Sequence, residues 1–231
     1  MTIKAIFFDI DGTLVDSNDL HVTAWQEALA SAGAHFSRQT VHDQIGKGAD
    51  MLIPTLLPDL NEADQERLAD AHGELYKSRF LSAVKPFPGA RDLLRHVADS
   101  GQQVVLASSA SRSEVDHYLG LLDAHPLVAA STSADDVERS KPAPDIFAHA
   151  LEKVKPLLPH EVIVVGDTPY DASAAGKCGI AAIGLRSGKF PDDVLLGAGA
   201  IALYDDAAAL LAGYDDSPLA NESAMTRGCR D

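Results

Sequence analysis

The chain has 231 residues, 46% of them hydrophobic, enough for one large domain or one domain carrying an insert. A net charge of -15 and a pI near 4.8 argue against a nucleic acid or an anionic membrane surface as partner, because both would be repelled. No apolar run is long enough for a membrane span, the first strand follows Met1 too closely for a signal peptide, and Cys178 and Cys229 make no disulfide framework, so a cytoplasmic protein with two free thiols is expected.

Residues 6–10 form an apolar run rich in aromatic and branched side chains and are expected as a buried strand. Strand side chains alternate, so Asp9 and Asp11 start on one face with Ile10 opposite, and Gly12 lets the chain turn sharply behind them. Two acids at the mouth of a buried strand repel each other and desolvate poorly, and a hard divalent cation would offset that. By themselves they fit equally a solvated strand-to-loop junction. A calcium loop fits less well, because the glycine is misplaced for an EF-hand.

From residue 16 to residue 85 the pattern is helical. Leu20, Ala24, Ala28 and Leu29 share one stripe, and Gly33 ends that helix. A second helix is expected over 38–45, then the loop Gly46-Lys47-Gly48, a helix over 51–57 and a break at Pro58. Asn61 caps a long helix over 62–80. No strand alternation appears, so this stretch is expected as an inserted helical cap.

From Pro86 onward helices and strands alternate. Strands are expected over 103–107, 127–130, 162–165, 181–185 and 200–203, with helices over 90–100, 113–122, 145–153, 170–178 and 207–211. This rhythm predicts a doubly wound α/β fold: a parallel sheet with helices on both faces. Ligands of such sheets gather beyond the carboxyl ends of the strands. Asp9 and Asp11, Ser108 and Ser109, and Asp167 all lie at such ends, and the loop carrying Lys141 can reach the same edge. The expected organisation is an α/β core over 1–15 and 86–213, a cap over 16–85 and a loose tail over 214–231.

Taken together, Asp9-Ile10-Asp11-Gly12-Thr13, Ser108, Lys141 in Ser-Lys-Pro-Ala-Pro-Asp, and Gly166-Asp167-Thr168-Pro169-Tyr170-Asp171 resemble the motifs of the haloacid dehalogenase-like superfamily. The resemblance covers about residues 3–211, with a helical cap like that of the phosphoglycolate phosphatase and beta-phosphoglucomutase branch. It implies a Rossmann-like core and a phosphatase acting on a small phosphorylated metabolite. Asp9 would be the nucleophile, and Mg²⁺ would be held by Asp9, the Asp11 backbone carbonyl and Asp167. Lys141 and Ser108 would bind the phosphoryl oxygens, with Gly12 and Ser109 beside them. Asp11 would be the general acid and base, and Asp171 would support Lys141 or a metal-bound water. An acid at position 11 favours phosphoryl transfer, because the dehalogenases of the superfamily lack one there.

In the cap, His21 and Trp25 share a helix face and resemble the mutase branch's His-x-x-x-Trp pair, where the histidine helps hold the general acid. Lys47 sits between two glycines and either reaches the substrate across a closed cap or is a turn lysine. The mutase branch has an arginine shortly after this loop; here Gly48-Ala49-Asp50 stands instead, which favours hydrolysis. A phosphomutase or phosphotransferase acting on a sugar phosphate is the alternative, and a phospho-ligand sensor without turnover is the other. A monomer is expected.

Overall fold

The computed structural model describes residues 2–220. Six strands form one parallel sheet: β1 (Ala5–Phe8), β4 (Gln103–Ala107), β5 (Val128–Thr132), β6 (Val162–Gly166), β7 (Ala181–Leu185) and β8 (Ala200–Tyr204). Their spatial order is β5-β4-β1-β6-β7-β8, so β1 lies centrally and pairs with β4 on one side and β6 on the other. The order reverses at β1, which opens a crevice at its carboxyl end.

The alternation of side chains explains the burial of β1. Ile6 and Phe8 enter one core, and Ala5 and Phe7 enter the other. Helices α5 (Ala90–Asp99), α6 (Arg112–Leu121) and α10 (Ala207–Ala212) cover the first face. Helices α7 (Asp145–Lys153), α8 (Pro169–Lys177) and α9 (Asp192–Gly197) cover the second. With a core on each side, Phe7 and Phe8 are both 0% exposed, and each contributes about 1.5–3 kcal/mol by burial. The runs look continuously apolar because neither face of the sheet meets water.

The helical segment comprises α1 (Asn18–Ser31), α2 (Arg38–His42), α3 (Ala49–Leu56) and α4 (Glu62–Arg79). Its own core is built from Val22, Trp25, Leu29, Ile45, Leu52 and Leu68, among others. Asn61 caps α4, its side chain accepting from the Asp64 N–H. Helix α2 ends at His42, three residues earlier than expected, as the chain turns into the Gly46 loop.

Three features were not anticipated. Val15–Asp16 (β2) and Lys85–Pro86 (β3) pair antiparallel, so the chain enters and leaves the helical segment through one two-rung ribbon. Helix α9 lies where no helix was expected. The residues after Gly213 do not form a loose tail at first. Tyr214 and Leu219 are buried in the core, the Tyr214 hydroxyl donates to Gln102 Oε1, and Gln102 Nε2 donates to the carbonyl of Leu219 at 2.8 Å. These contacts strap residues 214–219 against the start of β4. The remainder of the expected tail, 221–231, with Cys229, lies outside the described residues. Cys178 is a free thiol.

Candidate active site

The site is assembled where β1, β4 and β6 end. Asp9 follows β1 directly, and its N–H donates to the carbonyl of Val165 at 2.9 Å, which fixes the backbone beside β6. Lys141, 0% exposed, reaches in from the loop before α7. Its Nζ donates to Asp9 Oδ1 at 2.5 Å and lies 2.7 Å from Asp171 Oδ1. Burial works against the ammonium, but Asp171 and Asp9 outweigh it and hold Lys141 above the usual lysine range.

Asp167 ends β6 and is wholly buried. Its Oδ1 accepts from Thr13 Oγ1 at 3.0 Å and its Oδ2 from Asn18 Nδ2 at 2.8 Å. Two glycines make room for it. Gly12 has φ +78°, and a Cβ there or at Gly188 would run into the Asp167 carboxylate. Asp171 lies in the first turn of α8. Its Oδ2 accepts from Thr168 Oγ1 at 2.7 Å and the Thr168 N–H at 3.1 Å, a capping box.

Carboxylate oxygens of Asp9, Asp167 and Asp171 lie within 4.8 Å of one another. One lysine faces these three acids. Burial first, with Asp171 and Asp11 nearby, pushes Asp9 up to about 7 even against Lys141. Burial, then Asp9 and Asp171, push Asp167 well up despite its two donors. This uncompensated charge and the all-oxygen donor set fit a hard divalent cation. Asp9 and Asp171 share the Lys141 ammonium, whereas Asp167 meets only the neutral donors Thr13 and Asn18, so the unmet negative charge lies on the Asp9–Asp167 side of the cluster.

Asp11 sits apart from this cluster. Its Oδ1 accepts from Ser17 Oγ at 2.5 Å and lies 3.2 Å from His21 Nε2. Burial pushes the carboxyl up, but His21 and Ser17 prevail and hold it below the usual range. Ser108 is buried, and its Oγ accepts from the Ala110 N–H at 3.0 Å. The Ser109 hydroxyl is already spent on the Gly46 carbonyl at 3.2 Å. Of the two serines, Ser108 is therefore the one whose hydroxyl hydrogen has no acceptor among the described residues.

A cavity of about 740 Å³ lies between these groups and the helical segment. Asp9, Asp11, Ser108 and Ser109 form its floor, and His21, Trp25, Lys47 and α4 line the opposite side. His21 stacks on Tyr76 at 3.7 Å and Trp25 on His72 at 3.8 Å. Lys47 lines the cavity, yet its Nζ donates to Gln44 Oε1 at 2.7 Å and Thr55 Oγ1 at 3.2 Å and lies over the Tyr170 ring. Asp50, just after the Gly46-Lys47-Gly48 loop, accepts from Ser140 Oγ at 2.5 Å and the Ser140 N–H at 2.8 Å.

Sequence reasoning missed Thr13 and Asn18 as the anchors of Asp167, and Gly188 as the residue that admits it. Thr13 lies next to a motif glycine and was within reach. Asn18 and Gly188 are revealed only by the fold. It also missed His72 and the buried hydroxyl pair of Tyr76 and Tyr118, 2.7 Å apart, which ties α4 to α6.

The sequence profile of the haloacid dehalogenase-like hydrolases matches residues 3–179. A phosphorylated carbohydrates phosphatase of Thermotoga maritima is 29% identical over 207 residues, covering 87% of this chain and 94% of that protein. A phosphoglycolate phosphatase of Nitrosospira multiformis is 30% identical over 188 residues, 78% of this chain and 81% of that one. The crystal structure of a hydrolase from Pseudomonas syringae superposes with a TM-score of 0.87 at 30% identity, covering 94% of this chain and all of that chain.

Proposed function

We propose that this chain, which belongs to the haloacid dehalogenase-like hydrolases, is a Mg²⁺-dependent phosphatase of small phosphorylated metabolites that works through an aspartyl phosphate on Asp9. Phosphatase names among its relatives support the reading. The observation that carries it is the buried Asp9–Lys141–Asp171 array beside Asp167, at the carboxyl edge of the central strands.

Asp9, Asp167 and the backbone carbonyl of Asp11 would hold the ion. When bound, Mg²⁺ supplies positive charge against the phosphoryl oxygens and relieves the repulsion among the acids. Lys141, oriented by Asp171, adds a second cation for those oxygens, and the Ser108 hydroxyl donates a hydrogen bond to them. An Asp9 oxygen attacks phosphorus, and the ester oxygen departs with its electron pair. Asp11 gives that oxygen a proton. Donors hold Asp11 ionised in the free site; an entering phosphate dianion raises its carboxyl, so the proton is acquired with the substrate. Water then attacks the phosphorus of the acyl phosphate, Asp11 takes its proton, and inorganic phosphate leaves with Asp9 regenerated.

Asp9→Asn is expected to lower phosphate release from p-nitrophenyl phosphate at least ~10³-fold while circular dichroism stays unchanged. Retained turnover in that variant would refute the reading.

A phosphomutase would have to grip a second phosphate. The stretch Gly48-Ala49-Asp50 holds no arginine, and the Asp50 carboxylate is clasped to Ser140, which disfavours that role. Product analysis with glucose phosphates separates the two: free phosphate marks hydrolysis, an isomeric ester marks transfer. Inert binding of a phospho-ligand is disfavoured by the complete set of Asp9, Asp11, Lys141 and Asp167. The acidic chain disfavours nucleic acid as a partner. The reading carries with it a reducing, cytoplasmic setting, which the free thiol of Cys178 supports.

A further inference from the structure

We propose that His72, on the cavity side of α4, is a specificity-determining residue that hydrogen-bonds a hydroxyl of an uncharged polyol leaving group. The inference rests on the phosphatase reading and adds the chemical class of the alcohol.

His72 lines the cavity together with Asp9 and Asp11. Its Nε2 is buried and has no hydrogen-bond partner among the described residues. The ring lies flat on Trp25, 3.8 Å away and 7° from parallel, which sets its plane. A buried, unpartnered ring nitrogen next to an active site costs stability unless a ligand completes it. Burial first, and His21 second, keep the imidazole well below its usual range, so the ring is uncharged at neutral pH. A neutral imidazole has one donor and one acceptor nitrogen. A hydroxyl can answer either one, whereas a carboxylate can only accept.

Charge on the same wall points the same way. Asp70 and Glu74, four residues apart on α4, both line the cavity, and their carboxylates have no ion-pair or hydrogen-bond partner among the described residues. Lys77 also lines it and offsets one of the two acids, so these three α4 residues leave the wall net negative, and Lys47 is committed to Gln44 and Thr55. A leaving group carrying its own carboxylate or second phosphate would meet those acids in addition to the cost of desolvating it. A sugar or polyol would bring hydroxyls and no charge.

The test is kcat/KM, from phosphate release with Mg²⁺, on glycerol phosphate, phosphoglycolate and p-nitrophenyl phosphate. The wild-type protein is expected to prefer glycerol phosphate over phosphoglycolate by about 10-fold or more. His72→Phe keeps a flat ring for Trp25 and removes both nitrogens. It is expected to lower the glycerol phosphate to p-nitrophenyl phosphate ratio by about 10- to 100-fold, mostly through KM. His72→Gln should recover part of that ratio. A wild-type preference for phosphoglycolate would overturn the inference. A proportional loss on all three esters in His72→Phe would do the same, because that is the mark of a packing role. Should His72→Phe fail to fold, His72→Leu, which also removes both nitrogens, takes its place, and an unmoved ratio there counts against. No phosphate release by the wild-type protein from any of the three esters would instead remove the phosphatase reading itself.

Discussion

The two walls of the cavity are built on opposite rules. On the core side the charges around Asp9 are held: Lys141 by Asp9 and Asp171, Asp171 by Thr168, and Asp167 by Thr13 and Asn18. On the α4 wall His72, Asp70 and Glu74 have no such partners among the described residues. Phosphoryl transfer needs fixed charges at fixed distances, and a buried array with satisfied hydrogen bonds supplies them. Selecting an alcohol needs unspent hydrogen-bonding capacity, which a satisfied wall would lack. On the proposed reading, the contrast separates the residues that carry out the reaction from those that choose its substrate.

The harshest way to break the contrast is to unbalance the core wall. Lys141→Met keeps the volume but leaves Asp9, Asp167 and Asp171 buried without a cation. We expect activity to fall at least ~10³-fold and stability by about 3–5 kcal/mol, read by phosphate release and urea denaturation. An unchanged midpoint would mean that the acids are not charged together in the folded protein. A gentler probe addresses the joint between the walls. Tyr118→Phe deletes one hydroxyl of the buried Tyr76–Tyr118 pair and strands the other, and is expected to cost about 1–3 kcal/mol. A double cycle with Tyr76→Phe should recover part of that loss, and simple additivity would show that the two hydroxyls are not coupled.

The smallest effect belongs to the rim. Asp136 accepts from the Ser133 N–H at 2.9 Å and Ser133 Oγ at 3.1 Å, and pairs with Arg112. Burial pushes its carboxyl up, but these donors prevail and bring it to about 2, below the 3.8 of an unfolded chain. A lowered folded value stabilises above pH 3.8, and that stabilisation fades as pH falls toward about 2. Asp136→Asn should therefore flatten the stability profile within that window and leave turnover intact. A wild-type profile already flat there would remove the Asp136 contribution.

Much of this was legible from residue order. Asp9, Ser108, Lys141 and Asp167 mark strand ends or a loop beside them, and period-two and helical patterns place those ends on one edge of the sheet. What escaped notice depends on meetings across long separations. The β2–β3 ribbon is two residues per strand, too short for any periodic pattern, and contains Pro86. Tyr214 and Leu219 look like polar-tail residues until Gln102 binds both. In sequence His72 is one more helical position; its role is visible only when Trp25 is stacked on it and Nε2 is found without a partner.

The ribbon has a consequence for how such a protein can change. Entry and exit of the helical segment sit side by side, joined by the rungs Val15↔Pro86 and Asp16↔Lys85. Cutting at that neck and grafting in a different bundle would leave the strand order untouched. The transplant would have to keep Ser17, Asn18 and His21, which hold Asp11 and Asp167, and the positions where the segment dips into the main core, Ala24, Tyr76 and Val84 among them. New preferences could thus be acquired by exchanging the cassette beyond its first helical turns, with the machinery beneath it kept.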